Sequence, residues 1–428
     1  MFFDVNNQYG AAMSEYLPTD GFEWDLTFND MSVEDQTEFI LALKDDDTTG
    51  YIFSCDLEYP SNLHDLHDEF PLCPENLTIK DEWLSTYQKD MKNNFNIKGV
   101  SKKLCLTLFD KKNYILHYRN LKFCLSKGLK IKKVNKVLKF NQSPWLRSYI
   151  ELNTRLRQEA DSKFEESFPK LMNNSFFGKT CQNKRKYTNI KIATTSSEAE
   201  RLIASPRMMR WKLIDEELGM FDMGQYSIKL DKPRYIGFCV LELSKLIMYK
   251  FHYDYILPNF PKTKLLFTDT DSFCYHIKTN QDVYEVIKGN STWFDFSNYP
   301  HNHANFDNKI NHLKPGVFKD ETGSIPILEF IGLRSKMYSI LTSDGNGKRT
   351  AKGILRSHQK KIHHDDYQKS LFQSESSSFT GKKIMHKEHE LFIAEIRKKG
   401  LCPFNDKKHI TREGSVFETK SFGHYTLK

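Results

Sequence analysis

Two aspartates separated by one residue, Asp269 and Asp271, are the side chains of this sequence best placed to do chemistry. Apolar runs at 264–267 and 273–277 flank them, and both runs are predicted to be strands. In an extended chain, residues i and i+2 face the same side, so the two carboxylates can converge on one place. Two such charges repel each other unless a cation lies between them, and oxygen ligands on a rigid hairpin suit Mg²⁺. An Asp-x-Asp turn without a metal is also common in ordinary proteins.

The sequence around this pair matches a longer pattern. The run FTDTDS at 267–272 resembles motif C of the B-family DNA polymerases, which is usually YxDTDS. DVNNQYG at 4–10 resembles motif A (DxxSLYP), KLMNNSFFG at 170–178 resembles motif B (KxxxNSxYG), and KMY at 336–338 matches the KxY motif. All four occur in the family's order, and the resemblance covers essentially the whole chain. DLEYP at 56–60 and LHDLH at 63–67 further resemble the protein-primed polymerases of Polinton/Maverick elements and related viruses.

The resemblance implies an α+β fold of the right-hand polymerase type. Such a fold has a palm of antiparallel sheet and helices, helical fingers, a basic thumb and, in the protein-primed subgroup, two insertions. The implied division is palm, first part, 1–75; insertion between motifs A and B, 76–143; fingers, 144–181; second insertion, 182–234; palm, second part, 235–347; thumb, 348–428.

The resemblance also implies roles for individual residues. Asp4 and Asp271 would bind two Mg²⁺ ions, with Mn²⁺ as a substitute, while Asp269 supports the site near the primer end, which makes all three catalytic and metal-site candidates. No protein nucleophile is required. The candidates for nucleotide contacts are Tyr9, as a steric gate under the sugar, and Lys170, Asn174, Arg155 and Arg157; those for DNA contacts are Gly178, Lys336 and Tyr338. Without the motifs, Lys170 is an ordinary solvated lysine and Tyr9 an ordinary core residue.

The net charge of +8 is unevenly distributed. Residues 348–428 hold 18 Lys and Arg against 9 Asp and Glu, so the rest of the chain is nearly neutral. Recurrent cations suit a surface that tracks phosphates, since each neutralised phosphate releases condensed counterions. A solvated basic face kept for solubility explains the same pattern. The cations are Lys348, Arg349, Lys352, Arg356, Lys360, Lys361, Lys382, Lys383, Lys387, Arg397, Lys398, Lys399, Lys407, Lys408 and Arg412.

Length and composition exclude several classes of protein. The 428 residues, 39% of them hydrophobic, suffice for a globular protein of two to four subdomains. No stretch approaches the roughly 18 consecutive apolar residues of a membrane helix, and no secretion signal is evident. Eight scattered cysteines without a C-x-x-C pair predict an intracellular, reducing compartment. The spacing of Cys55, His64, His67 and Cys73 fits no zinc template, which favours surface histidines and half-buried thiols.

Periodicity predicts the elements that must position these residues. Residues 1–5 and 51–57 are predicted strands, with shorter strands at 104–109 and 114–118, while 58–76 is rich in polar residues and expected at the surface. Apolar residues recur every four positions from 152 to 176, which predicts two helices with a turn near 157–162 and Pro169 inside the second. A long apolar helix is expected over 235–255.

Three functions remain open from the sequence. The leading one is a DNA-directed DNA polymerase that replicates a viral or mobile-element genome, with primer-template DNA, dNTPs and a terminal protein primer as partners, and no membrane. No exonuclease carboxylate motifs precede motif A, so we expect the polymerising half alone. The alternatives are an inactive mobile-element remnant that still binds primer-template DNA, and a general basic nucleic-acid-binding protein with an incidental Asp-x-Asp.

Overall fold

The fold is a mixture of α-helices and β-sheets, as predicted. A computed structural model describes residues 1–98, 102–301, 303, 306–387 and 390–427. Residues 99–101 of the first predicted insertion, residues 388, 389 and 428 of the predicted thumb, and the side chain of Arg356 lie outside what it describes.

The strands of the described residues follow in chain order: β1 Phe2–Val5, β2 Leu17–Pro18, β3 Glu23–Trp24, β4 Thr49–Glu58, β5 Glu75–Thr78, β6 Lys102–Cys105, β7 Lys111–His117, β8 Lys130–Ser143, β9 Asn189–Ala193, β10 Met208–Asp215, β11 Leu218–Met223, β12 Thr263–Thr268, β13 Ser272–Ile277, β14 Phe294–Asp295, β15 Phe318–Asp320, β16 Ile327–Arg334, β17 Met337–Thr342, β18 Arg349–Ala351, β19 Ser378–Lys387, β20 Glu390–Lys399, β21 His409–Glu413 and β22 Val416–Lys420. The α-helices are α1 Gln8–Met13, α2 Val33–Ala42, α3 His64–His67, α4 Thr86–Asn94, α5 Tyr118–Ser126, α6 Arg147–Gln158, α7 Lys163–Thr180, α8 Ser196–Ile203, α9 Arg234–Lys250, α10 Leu257–Asn259, α11 Val283–Gly289, α12 Arg356–Gln359 and α13 His364–Phe372.

A five-stranded sheet, here called the central sheet, has the order β12-β13-β1-β15-β14. The predicted strand at 1–5 is its middle strand, β1, which pairs antiparallel with β13 on one side and β15 on the other. Because side chains alternate along a strand, Phe3 and Val5 pack into the main core while Phe2 and Asp4 point to the opposite face. The central sheet therefore has one apolar, buried face and one face that presents a carboxylate.

The predicted helix over 235–255 is confirmed and covers the apolar face of the central sheet. It is α-helical as α9 and continues as a π-helical segment, Phe251–Ile256. The ring of Phe251 stacks on Phe318 of β15 with the ring centroids 3.6 Å apart, and Val240 and Leu243 are buried in the same core. Apolar burial on this scale supplies the main driving force for holding the sheet in place.

A second sheet with the order β2-β8-β4-β7 packs beside α9. Strand β4 confirms the prediction at 51–57, and β7 covers most of 114–118, whereas only the first part of 104–109 is extended, as the end of β6. Buried Glu242 of α9 accepts hydrogen bonds from the Asn120 side chain at 2.9 Å and from the His117 backbone N–H at 3.3 Å. Helix α9 is thereby joined to the second sheet through a buried polar side chain that has partners.

The two helices predicted from the apolar residues at 152–176, with a turn near 157–162, are confirmed as α6 and α7. Ser162 ends the turn between them, and its side chain caps α7 by accepting a hydrogen bond from the Glu165 N–H. Pro169 lies inside α7, as expected. The apolar stripe along this pair is largely exposed: Phe164 retains 84% and Phe168 61% of its accessible surface.

The C-terminal part of the chain folds back onto earlier segments. After the sheet β16-β17-β18 and the hairpins β19–β20 and β21–β22, residues 400–427 return to the segment 64–109. The Leu108 N–H donates to the Phe422 carbonyl at 2.8 Å, the Ser421 N–H donates to Asp68 at 2.6 Å, and the Gln88 amide donates to the Lys408 carbonyl at 2.8 Å. The basic C-terminal region is thus attached at its far end as well as at its start.

The expectation that 58–76 lies at the surface is wrong, because this return contact covers much of it. His64, His67 and Cys73 are buried, and so is Cys55 in the neighbouring strand, so these residues are neither surface histidines nor half-buried thiols. His67 shares a hydrogen bond of 2.8 Å with the Tyr59 hydroxyl. His67, which was predicted to be solvated, is therefore held inside the protein through one of its two ring nitrogens.

None of the helices within the described ranges is both long and apolar enough to cross a membrane.

The buried histidines predict a loss of stability in acid. Burial lowers the pKa of His67 to about 4 and that of His252 to about 3, while both titrate near 6.5 in an unfolded chain. The unfolded state then binds more protons between pH 6.5 and pH 4, so the free energy of unfolding decreases as the pH falls through this range. Each such histidine contributes a slope of up to about 1.4 kcal/mol per pH unit.

Denaturant titrations at pH 4.5, 5.5 and 6.5 measure that slope. We expect a shallower slope for His67→Asn, which keeps a polar atom near Tyr59, and an unchanged slope for His276→Asn, a substitution at an exposed position. Equal slopes for His67→Asn and the unmodified protein would mean that His67 is not a source of the acid sensitivity.

Candidate active site

The central sheet places Asp4 beside Asp271. Asp4 of β1 is the direct cross-strand neighbour of Ser272, and the Val5 N–H donates a hydrogen bond to the Asp271 carbonyl at 2.8 Å. Asp271 occupies the last position of the turn between β12 and β13. Two carboxylates 267 positions apart in the sequence thus meet on the outer face of one sheet.

The turn at 269–271 is held by its own backbone and by one side chain that the motifs did not single out. Thr270 has a left-handed backbone with φ of 66°, and the Asp271 N–H donates to the Asp269 carbonyl at 2.8 Å. The buried Gln8 amide donates to the Thr270 carbonyl and to the Ser244 carbonyl of α9, both at 3.1 Å. Gln8 therefore fixes the turn relative to β1. In the sequence, Gln8 is notable only because motif A has Leu at this position.

Two other residues that differ from motif A, Asn7 and Gly10, depend on each other. Asn7 has a left-handed backbone with φ of 42°, and its side chain lies so close to Gly10 that a Cβ there would be 2.1 Å from the Asn7 Nδ2 atom. Asn7 thus leaves no room for the proline that the family has at the position of Gly10. The altered pair still leads into α1 and leaves Tyr9 on its first turn.

Asp4 and Asp271 are both harder to ionise than ordinary aspartates. Burial raises the pKa of Asp4 to about 7, with further contributions from the charges of Asp271 and Glu321, while Lys319 and Lys348 act in the opposite direction. Burial also raises the pKa of Asp271, and Asp269 adds to the effect. Burial and a neighbouring carboxylate both disfavour the charged form of each side chain.

Asp269 differs from the other two aspartates because it has a cationic partner. Its carboxylate lies 2.8 Å from the Lys336 ammonium, and Lys336 occupies the turn between β16 and β17 with a left-handed φ of 59°. Tyr338, two residues further, stacks on Phe267 with the ring centroids 4.2 Å apart. The KMY segment is therefore packed directly against the strand that leads to the aspartates.

The residues present fit a divalent cation held by two carboxylates. Within the ranges that the structure describes, no three His, Cys, Asp or Glu side chains form a closed metal cage. Mg²⁺ does not need one, because it keeps several waters and takes one or two carboxylates together with substrate phosphates. Asp4 and Asp271 supply these oxygen ligands, and burial, as the first cause, raises the pKa of both carboxyl groups. Asp269, paired with Lys336, lies next to this pair.

Tyr9 stacks on Phe177 of α7, with ring centroids 4.2 Å apart and planes inclined by 15°. The two positions belong to motifs A and B, and the contact closes the gap between β1 and the helix pair. Tyr9 is half-buried, and the charge of Asp271 contributes, after burial, to raising the pKa of its hydroxyl. Its ring therefore lies at the rim of the carboxylate site.

The remaining motif B residues occupy one exposed face of α7. Lys170, Asn174 and Gly178 recur at intervals of four and are all exposed, whereas Asn173 turns inward and accepts a hydrogen bond of 2.7 Å from Asn153. A Cβ added at Gly178 would meet nothing within 4 Å. The charge of Lys170 acts on Asp271 by lowering its pKa, so this face is directed toward the carboxylates.

The two arginines named from the sequence differ in their surroundings. Arg155 is exposed on α6, whereas Arg157 is buried and forms an ion pair of 2.8 Å with Glu166 of α7. This ion pair braces the two helices. Arg157 can reach a ligand only by leaving Glu166.

The basic tail is divided between structural and exposed cations. Lys408 donates to the Asp68 carbonyl at 2.7 Å, and burial lowers its pKa. Lys348 lies over the ring of Phe2, 4.5 Å from its centroid, on the same side of the sheet as Asp4. Lys382, Lys383 and Lys387 are exposed on hairpin β19–β20.

The sequence of residues 1–255 matches the family model of DNA polymerase type B, organellar and viral. The chain belongs to this family. The match includes Asp4, Tyr9 and Lys170 and ends before Asp271. No curated protein sequence matches the chain significantly.

The fold of this polymerase-family chain is similar to that of phi29 DNA polymerase. A complex of the phi29 enzyme with primer-template DNA has a TM-score of 0.50 and 15% identity, over 93% of this chain and 57% of that chain. The orthorhombic crystal form of the phi29 enzyme gives a TM-score of 0.50 and 16% identity over the same shares. At these identities the likeness concerns the fold. The chain thus spans little more than half the length of the phi29 enzyme.

The raised pKa of Asp4 predicts opposite effects of pH on the stability of the protein with and without Mg²⁺. The pKa of Asp4 is about 7 in the folded protein and about 4 in an unfolded chain, so without metal Asp4 costs stability increasingly as the pH rises from 4 to 7. Asp4→Asn should then raise the melting temperature at pH 8 more than at pH 5. Mg²⁺ competes with protons for the carboxylates, so it should raise the melting temperature of the unmodified protein mainly at pH 8.

Melting curves of both proteins at pH 5 and pH 8, with and without Mg²⁺, measure these effects. Asp46→Asn, a substitution of an exposed aspartate, controls for the loss of one charge. A Mg²⁺-induced shift of equal size in Asp4→Asn and the unmodified protein would exclude Asp4 as a ligand.

Proposed function

We propose that this protein is a DNA-directed DNA polymerase, which adds dNTPs to a primer 3′-hydroxyl under the direction of a template. The observation that carries the proposal is the meeting of Asp4 and Asp271 on one face of the central sheet, in a partly buried place where the charge of Asp271 adds to burial in raising the pKa of Asp4. Membership of the type B family and the phi29-like fold support it. A viral or mobile-element genome, including one of Polinton type, is the expected template.

The proposed reaction needs no protein nucleophile. The primer 3′-oxygen forms a bond to the α-phosphorus, the bond from that phosphorus to the bridging oxygen breaks, and pyrophosphate leaves. Two Mg²⁺ ions, when bound, supply Lewis acidity toward the 3′-hydroxyl and the triphosphate. Asp4 and Asp271 would hold them, and Asp269 lies beside this pair with its charge neutralised by Lys336.

The surrounding residues orient the substrates. The Tyr9 ring, fixed by Phe177, lies where it can exclude a 2′-hydroxyl, and Lys170 and Asn174 present a cation and an amide to the triphosphate. Gly178 lets the DNA approach α7 closely, since its Cβ position is open. Lys336 contacts the primer end, and Tyr338, which is buried against Phe267 and so cannot reach DNA itself, supports the turn that carries Lys336. The exposed lysines of hairpin β19–β20 contact phosphates without reading bases.

We further propose an intracellular site of action and priming by a terminal protein. The eight cysteines are all free, and seven of them are buried, which suits a reducing compartment. Protein priming is inferred from the resemblance to the protein-primed subgroup.

Primer extension with Mg²⁺ and dNTPs tests the main proposal. We expect template-dependent growth, reduced about a hundredfold or more by Asp271→Asn, because charge stabilisation by bound metal is worth several kcal/mol. Asp90→Asn, at an exposed position, should leave the rate unchanged. The readout is the rate of single-nucleotide addition on a recessed 3′ end.

Two other results would point elsewhere. No growth with the unmodified protein, together with preferential binding of a recessed 3′ end over blunt duplex, would identify a non-catalytic remnant. Growth that persists in Asp271→Asn would remove the carboxylate pair from the mechanism.

The position of Tyr9 predicts sugar discrimination. Tyr9→Val should allow ribonucleotide addition, because the ring that excludes the 2′-hydroxyl is gone, while Tyr9→Phe keeps the ring and its stacking on Phe177. Competing dNTP and rNTP additions on one template give the selectivity ratio for each variant. Unchanged selectivity in Tyr9→Val would leave Tyr9 as a packing residue alone.

A further inference from the structure

A lysine outside all four motifs lies next to the candidate catalytic aspartate. Lys319 of β15 is the direct cross-strand neighbour of Asp4, so both side chains leave the same face of the central sheet. Its side chain is 25% exposed, and its ion pair is with Glu321 at 3.6 Å, which is longer than a hydrogen bond. Lys319 is therefore a cation at the rim of the carboxylate site with a loosely held partner.

The end of α6 contacts the segment that leads into β15. The Gln158 amide at the end of α6 donates to the carbonyl of His312, in the segment that leads into β15, at 2.6 Å. Glu166 of α7 has a lowered pKa, first because Arg157 donates a hydrogen bond to it and further because of the charges of Lys170 and Lys319. Lys319 thus lies within electrostatic reach of both Asp4 on the sheet and Glu166 on the helix pair.

We propose that Lys319 binds the β- and γ-phosphates of the incoming nucleotide, and the pyrophosphate that leaves, as the sheet-side partner of Lys170. The inference rests on the proposed polymerase function and deepens it. The triphosphate of a dNTP carries about four negative charges, and bound Mg²⁺ neutralises only part of them. Lys319 moves from Glu321 to the phosphates, and a charge-assisted hydrogen bond replaces the long ion pair.

The position of Lys319 favours the triphosphate over the primer strand as its ligand. The KMY segment and Phe267 lie on the β12–β13 side of β1, where Lys336 contacts Asp269. Lys319 lies on the opposite side, on β15, together with Glu166 and Lys170 of the helix pair. Lys319 is therefore separated from Lys336 by β1 and β13, and it shares Glu166 with Lys170, whose charge also acts on Asp271.

Steady-state primer extension and pyrophosphate binding test this role. For Lys319→Ala we expect a KM for dNTP raised about tenfold or more, a smaller change in kcat, and an unchanged Kd for recessed primer-template DNA. Lys319→Arg should restore most of the KM, because it keeps the charge and the donors. In isothermal titration with Mg²⁺-pyrophosphate and the full protein on primer-template DNA, Lys319→Ala should bind about tenfold more weakly.

Lys278→Ala is the matched control, since Lys278 is an exposed lysine just beyond the end of β13 opposite to the end that Asp271 precedes. Melting temperatures of all variants exclude unfolding as the cause of a change.

The possible results distinguish phosphate binding by Lys319 from polymerase activity. If the unmodified protein does not extend primers but binds pyrophosphate in a Lys319-dependent manner, the polymerase proposal fails and the phosphate site stands. Normal extension with an unchanged dNTP KM in Lys319→Ala overturns the inference, and so does weaker DNA binding with unchanged nucleotide binding. Absence of pyrophosphate binding by the unmodified protein also overturns it.

Discussion

The pairing of β1 with β13 is the constraint on which the rest of the site depends. It is a short ladder, in which Asp4 lies opposite Ser272 and the Val5 N–H bonds to the Asp271 carbonyl. Because side chains alternate along strands, a slip of one residue would turn Asp4 into the core and Phe3 out of it. The buried Phe3 and Val5, packed under α9, make that slip costly. The apolar face of the sheet thus fixes the register of the carboxylates on the other face.

The three aspartates differ in the charged groups that lie next to them. Asp269 is neutralised by Lys336, whereas Asp4 and Asp271 are left to repel each other in a partly buried place. Such an arrangement stores an unfavourable interaction that a divalent cation relieves on binding. The core of aromatic rings around Phe251 and the hydrogen bonds of Gln8 offset this unfavourable interaction. The hydrogen bonds of Gln8 hold the turn even without a ligand.

Local patterns were sufficient for the elements and the motifs. The period of four residues gave α6 and α7 with the turn between them, and apolar runs gave β1, β4, β12, β13 and α9. The burial of a residue by segments that are distant in the sequence cannot be predicted from the local pattern. His64 and His67 look solvated in sequence, but His64 is covered by Tyr425, more than 300 positions away, and His67 packs against Tyr253. Gln8 and Lys319 were missed for the same reason, since their partners are set by strand pairing and not by spacing. Domain boundaries stay predictions.

The order of the strands in the central sheet has a consequence for biosynthesis. Residue 4 pairs with residues near 272 and near 319, so β1 cannot be completed until more than 300 further residues have been made. At typical translation rates that delay is roughly 15 to 60 s. During this time an apolar strand with two unpaired edges is exposed on the nascent chain, which is a template for wrong pairing. The strand that carries Asp4 is thus translated long before its two partner strands and can complete its pairing only after both have been made, and nascent chains of this protein should depend on chaperones that shield β1.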